Sequence, residues 1–159
     1  MNLCPCGKLL DGRGGCRCSS TQVQRYLSKV SGPLLDRIDL HVEVPAQSFE
    51  TLTLGPAAES SATIRARVQR AIAWRVQRGQ QQSNARLSTK ELKSHCQLSA
   101  DATTLLRTAM QELEFSARSY TKILKIARTI ADLAEQPTMQ PDHLAETIQY
   151  RSLDRRLWT

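Results

Sequence analysis

The sequence predicts a mostly α-helical protein, in which a cysteine-rich segment and a single strand precede a bundle of helices. Two observations carry this prediction. From Glu59 onward, apolar residues recur at spacings of three and four in one segment after another, which is typical of amphipathic helices. Strict alternation of apolar and polar residues is confined to residues 38–44, before Pro45, and indicates a half-buried strand. The 159 residues suffice for one domain or two small ones.

Four of the five cysteines form two Cys-x-Cys pairs near the start, Cys4 with Cys6 and Cys16 with Cys18. Glycines between the pairs let the backbone turn back sharply. Four thiolates can close a tetrahedral zinc site, so the spacing predicts a structural metal rather than a catalytic one. A redox pair and a site that has lost its metal are the alternatives. The fifth, Cys96, is expected to be a core thiol.

A junction precedes the predicted strand. Ser19 to Thr21 open a helix that runs to about Val30, and Ser31-Gly32-Pro33 ends it. Asp36 and Arg37 then stand just before the strand, where a core would hold them in place. Arginine can meet a phosphate in a planar, bidentate manner. An ordinary surface ion pair at the start of the strand is the alternative.

The rest of the chain reads as a linker and a series of helices. Residues 47–58 combine Gly55-Pro56 with small polar residues and are expected to link two parts. The helices are predicted over 59–79, 88–95, 99–113 and 117–134 and from 141, with a basic tail after Tyr150. The first carries an apolar side (Ile64, Val68, Ala71, Ile72 and Val76). Its arginines form either a solvated face or a nucleic-acid contact (Arg65, Arg67, Arg70, Arg75 and Arg78).

The helix predicted over 117–134 has the most regular apolar stripe, with Ser116 as its N-cap. Arg118 occupies its second position, where the helix dipole is already positive. Such a placement is favourable if an anion lies between the free N–H groups and the guanidinium. An arginine that bends away into solvent is the alternative.

Composition restricts the class of protein. The net charge of +7 favours an anionic partner such as nucleic acid or nucleotide phosphate. No run of 18 apolar residues is present, so no membrane span and no membrane partner are expected. The first residues lack the pattern of a signal peptide, which predicts a cytoplasmic protein with reduced thiols.

Six short motifs occur together in one order: Asn2-x-Cys4-Pro5-Cys6-Gly7, Gln22-x-x-Arg25-Tyr26, residues 31–39, Glu59-Ser60-Ser61, Ser116-x-Arg118-x-Tyr120 with residues 124–133, and residues 145–155. This set resembles the C-terminal part of the bacterial magnesium-chelatase-like AAA+ ATPases of the ComM/YifB (competence protein) type. The resemblance covers essentially the whole chain.

The resemblance implies a fold and an activity. Residues 1–46 would be the C-terminal remnant of an AAA+ α/β core, with one or two strands and a Cys-rich insertion. Residues 59–159 would form the α-helical lid. Members of this type form hexamers, bind ATP and Mg2+, and act as DNA helicases that promote branch migration during natural transformation.

The same resemblance implies roles for individual residues. Asn2 resembles the sensor-1 residue, and Arg118 resembles the sensor-2 arginine of the lid. Arg37 resembles the arginine finger, which reaches the nucleotide of a neighbouring subunit, and Asp36 would orient it.

The chain departs from the family pattern in three respects. Leu3 stands where the family usually has proline, a change that we expect to be tolerated. The motif G-x-x-x-x-G-K-[ST] occurs nowhere in the sequence, and no acidic Walker B stretch precedes Asn2. We therefore expect a fragment or a truncated reading frame that is inactive as an ATPase alone. A stand-alone zinc-stabilised nucleic-acid-binding module and a non-functional gene remnant are the alternatives.

Overall fold

The computed structural model describes residues 2–9, 15–44 and 47–151, and this part of the chain divides between Ala57 and Ala58 into two compact units. The regular structure of both units is helical, which confirms the mostly α-helical class that the sequence predicts. In the described ranges, no helix combines the length and the apolar character that crossing a bilayer requires. The glycine-rich residues 11–14 and the predicted basic tail beyond Arg151 lie outside the described residues.

The first unit contains three short helices, α1 (Ser20–Leu27), α2 (Gly32–Leu35) and α3 (Phe49–Leu54). A capping box opens α1: the Gln22 N–H donates to the Ser19 hydroxyl at 3.3 Å, and the Ser19 N–H donates to the Gln22 side chain at 3.0 Å. The sequence did not predict α3, which lies within the expected linker and begins after the capping residue Ser48.

The strand predicted over 38–44 does not form. In the described ranges the only β pairing is an isolated parallel bridge between Leu98 and Met139. A strand forms only beside a second strand, and the residues that the structure describes contain no second strand for it. Its apolar side chains are correspondingly exposed, with exposed fractions of 41% at Ile38 and 85% at Val44.

The second unit contains five α-helices and one 3-10 turn. These are α4 (Ser61–Gln77), the turn Asn84–Arg86, α5 (Thr89–His95), α6 (Ala100–Glu112), α7 (Ala117–Leu133) and α8 (Pro141–Gln149). Serine side chains cap four of these helices by accepting a backbone N–H from the first turn (Ser60, Ser88, Ser99 and Ser116). These caps fix the helix starts close to where the sequence predicts them.

Helix α7 is the centre of this unit and packs against α4, α5, α8 and the 3-10 turn. Its predicted apolar stripe is largely buried, and Ile123, Ala127 and Ala131 have no exposed surface. Leu106 of α6 and Leu144 of α8 belong to the same core. Each large aliphatic side chain buried in this way contributes about 1.5–3 kcal/mol to folding.

Helix α4 turns a different face inward from the one its apolar pattern predicts. Its large aliphatic side chains remain 41–45% exposed (Ile64, Val68, Ile72 and Val76). The half-buried positions are Ala71, Trp74, Arg75 and, at the C-cap, Arg78. At the end of the helix, the ion pair of Arg78 with Asp132 holds this face of α4 against α7.

Candidate functional site

The four cysteines of the two Cys-x-Cys pairs come together in the first unit. Their sulfur atoms all lie within 4.8 Å of one another. Cys4 and Cys6 lie on a tight turn, in which the Gly7 N–H donates to the Cys4 carbonyl at 3.1 Å. Gly7 has a φ of +77°, a conformation that favours glycine. Cys16 and Cys18 immediately precede the N-cap of α1, which fixes the second pair.

The spacing of the sulfur atoms fits a tetrahedral metal. The Sγ–Sγ distances are 3.4 Å for Cys4–Cys6, 3.6 Å for Cys6–Cys16 and 3.8 Å for Cys16–Cys4. Zinc–sulfur bonds of about 2.3 Å place the sulfurs of a ZnS4 tetrahedron roughly 3.8 Å apart. The site can therefore hold zinc with little movement. Four sulfurs fill the coordination shell, so such an ion would be structural.

Electrostatics within the cluster favour a cation. The Lys8 N–H, followed by the thiol of Cys4, stabilises the Cys6 thiolate and lowers its pKa to about 6. At Cys18 a backbone hydrogen bond from Cys6 favours the thiolate, but the Cys6 side chain and burial outweigh it and raise the pKa to about 12. Four thiols at this separation cannot all ionise unless a cation compensates their charge.

Arg37 lies on the exposed side of a fixed turn. Leu35, two residues earlier, is buried, and the Asp36 N–H donates to the Gly32 carbonyl at 2.9 Å, which closes α2. The Arg37 guanidinium is exposed, and its Nη1 donates to the Pro33 carbonyl at 3.4 Å. The turn thus anchors the backbone of Asp36 and Arg37 and leaves the guanidinium accessible to a partner.

The other two predicted site residues lie apart in the chain. Asn2 is exposed, and its Nδ2 lies 3.0 Å from the position that a Cβ at Gly7 would occupy, so its amide covers the turn of Cys4 and Cys6. Arg118 belongs to the second unit. It is exposed in the first turn of α7, where the Ser119 N–H donates to the Ser116 hydroxyl at 3.1 Å.

The sequence reasoning missed a buried polar network between α4, the 3-10 turn and α7. Arg128 and Asp132 are 0% and 2% exposed. Asp132 accepts from Arg78, from Arg128 Nε at 3.1 Å and from Asn84 Nδ2 at 2.7 Å. Arg128 also donates to the Pro137 carbonyl at 2.7 Å and to the carbonyl of Gln136. The available signal was the charged pair at i and i+4 beside the apolar stripe of α7.

Two families of known proteins match the chain. The family described as magnesium chelatase, subunit ChlI C-terminal, matches residues 58–151, and the family described as magnesium chelatase, subunit ChlI, matches residues 1–52. The boundary between these matches lies close to the division between the two units.

Individual relatives agree with the family matches. The chain is 39% identical over 142 residues to an uncharacterized protein YifB of Salmonella typhimurium. It is 41% identical over 143 residues to the competence protein ComM of Haemophilus influenzae and 38% identical to YifB of Escherichia coli. Each match covers 89% of this chain but 28% of the relative. The chain thus belongs to the magnesium chelatase ChlI family and corresponds to a C-terminal part of a ComM/YifB-type AAA+ protein.

Proposed function

We propose that this chain is the C-terminal portion of a hexameric AAA+ ATPase that acts on DNA as a branch-migration helicase in natural transformation and recombination. The observation that carries the proposal is the 41% identity to a competence protein over 89% of the chain. In this proposal residues 1–46 belong to the ATPase core, 47–58 link the two parts and 59–159 form the lid. The assembled protein works in the cytoplasm.

Four residues contribute to ATP hydrolysis in this proposal. Arg37 is the arginine finger that acts in trans on the neighbouring subunit, with Asp36 orienting it. Arg118 contacts phosphate in cis from the lid, and Asn2 is the sensor that helps to position the attacking water. The exposed guanidinium on the anchored turn of α2 supports the role of Arg37, since a finger must extend from a fixed backbone.

ATP and Mg2+ belong mainly to residues outside this chain. The sequence contains no G-x-x-x-x-G-K-[ST] to hold the phosphates. Zinc, in contrast, fits Cys4, Cys6, Cys16 and Cys18, and we propose that it holds the two Cys-x-Cys pairs together as a structural ion. In that role it fixes the chain that leads into α1.

Mixing of variant subunits tests the proposed trans and cis roles. In the full-length protein, Arg37→Ala and Arg118→Ala are each expected to lower the ATPase rate by at least a hundredfold, with hexamers retained. When the two variants are mixed in equal amounts, random hexamers should regain up to about a quarter of the wild-type rate. In about a quarter of the sites, a subunit with an intact lid then lies beside a subunit with an intact finger. Mixtures that stay inactive contradict the trans assignment. Arg65→Ala, an exposed arginine of α4, is the matched control and should retain the wild-type rate.

A further inference from the structure

We infer that the four-cysteine cluster and α1 together form a binding surface for single-stranded DNA. We call it the knuckle surface and define it by Lys8, Arg17, Arg25, Tyr26 and Lys29. The inference rests on the proposed function, in which the assembled ATPase acts on DNA, and it names the residues that contact the strand.

The first observation is the position of the cations around Cys6. One cavity is lined by Cys6, Lys8, Gly15 and Arg17. A second cavity also includes Cys6 and is lined by Arg25, Tyr26 and Lys29 among others. Because Cys6 lines both cavities, the two groups of cations border adjacent cavities beside the same cluster. An extended polyanion can pass over the cluster and contact both.

The second observation is the distribution of charge. Among residues 2–9 and 15–35 four side chains are basic, all four are exposed and no carboxylate is present. The acidic residues of the first unit that the structure describes begin at Asp36. A divalent ion with four thiolates has a formal charge of about −2, so the four cations more than compensate it. The excess positive charge favours a phosphate backbone.

The third observation distinguishes a single strand from a duplex. Tyr26 is half-buried and lines the second cavity together with Arg25 of α1 and with Lys29, which follows the end of α1. An aromatic ring beside basic side chains can stack on an unpaired base while the cations contact phosphates. In a duplex the bases are already stacked on one another, and the ring would have no partner. The arrangement therefore favours single-stranded DNA.

Fluorescence anisotropy with the zinc-loaded 159-residue chain tests the inference. The probe is a labelled oligothymidine of about 20 nucleotides, titrated at several salt concentrations. The triple variant Arg17→Ala/Arg25→Ala/Lys29→Ala should weaken binding at least about tenfold and reduce the salt slope by about 2. The matched control removes the same charge from α4 (Arg65→Ala/Arg67→Ala/Arg70→Ala) and should change the affinity by less than about threefold.

Tyrosine variants separate stacking from charge. Tyr26→Ala should weaken binding about tenfold, and Tyr26→Phe, which retains the ring, should bind like the wild type. Zinc content and circular dichroism confirm that each variant is folded. The inference is overturned if the α4 triple variant loses as much affinity for the oligonucleotide as the triple variant of Arg17, Arg25 and Lys29. It is also overturned if Tyr26→Ala binds like the wild type, or if a duplex of equal length binds more tightly than the single strand.

The outcome of this experiment is independent of the ATPase experiment, because no nucleotide is present. Failure of the subunit mixing with normal binding by the knuckle surface would overturn the proposed ATPase roles alone. Successful mixing with no detectable DNA binding by the 159-residue chain at low salt would overturn the knuckle surface alone.

Discussion

Arg78 and Asp132, 54 positions apart in the sequence, form a bidentate ion pair that joins the end of α4 to α7. The distances are 2.9 Å from Nε to Oδ1 and 3.1 Å from Nη2 to Oδ2. The carboxylate is almost fully buried, and Arg128 and Asn84 also donate to it. Removing the charge of such a carboxylate is costly, because its cationic partners then stay in the interior without a compensating charge.

Asp132→Asn should therefore lower the free energy of unfolding by about 3–5 kcal/mol, since it leaves the buried guanidinium of Arg128 and the partly buried one of Arg78 without an anion. Urea denaturation of the 159-residue chain measures the change. Asp101→Asn, at an exposed position in the first turn of α6, removes the same charge and should cost no more than about 1 kcal/mol. Equal effects of the two substitutions would show that the network contributes little.

The cysteine cluster should bind one zinc ion per chain. Cys6→Ser or Cys18→Ser removes one of four ligands, so the protein should lose bound metal when it is dialysed against a chelator. Cys96→Ser is the matched control, because Cys96 is a buried core thiol outside the cluster and should leave the zinc content unchanged. Elemental analysis after purification measures the stoichiometry. Full retention of zinc by Cys18→Ser would exclude the four-cysteine site.

Zinc affinity should rise steeply with pH. Cys16 and Cys18 both have raised pKa values, that of Cys18 about 12, so both are protonated at neutral pH without metal. Each must release its proton when the ion binds, and acid therefore competes with zinc. Competition titrations between about pH 6.5 and 8.5 should show that at least about two protons are released for each zinc ion bound. An affinity independent of pH would contradict binding through these thiols.

Acid should destabilise the second unit through His143. Burial, followed by the charge of Arg128, lowers the pKa of this histidine in the folded state, where its Nδ1 accepts the Gln140 N–H at 3.0 Å. The unfolded chain then binds a proton that the folded chain does not, so the free energy of unfolding falls as the pH drops below the ordinary histidine pKa of about 6.5.

Thermal denaturation at a series of pH values measures this dependence. His143→Gln retains an acceptor at the start of α8 and should flatten the dependence. His95→Gln, in the last turn of α5, should retain it. If the thermal stability of His143→Gln falls with pH as steeply as that of the wild type, other titratable groups cause the dependence.

The 159-residue chain alone should not hydrolyse ATP, because its sequence contains no motif that cradles the phosphates. A phosphate-release assay with the purified chain measures this, and the full-length protein is the positive control. ATP hydrolysis that co-purifies with the chain and is lost in the Arg37→Ala variant would contradict the prediction.

Local patterns in the sequence were sufficient for the helices of the second unit. The Ser88–Glu91 capping box and the Ser116 cap set helix starts through contacts between residues three apart, which a sequence displays directly. The cysteine cluster was predictable for a similar reason, since the two Cys-x-Cys pairs lie close together in the sequence and together offer the four thiolates of a tetrahedral site.

Contacts between distant segments were not predictable. The alternation from Ile38 to Val44 has the period of a strand, but a strand depends on a neighbour that this chain does not supply among its described residues. The contact of Arg78 with Asp132 was not predicted, because the two residues are 54 positions apart. The roles proposed for Arg37 and Arg118 depend on a bound nucleotide, whose position no pattern within the chain indicates.

The small number of buried apolar side chains in the first unit has a consequence for its folding. Among residues 2–9, 15–44 and 47–57, only Cys4 and Leu35 are buried apolar residues, and Cys4 belongs to the metal cluster. Within this chain the proposed zinc ion would therefore supply much of the order of the first unit. The cellular supply of zinc would then affect the folding of the first unit, whereas the second unit, which has its own hydrophobic core, would keep its helices when zinc is scarce.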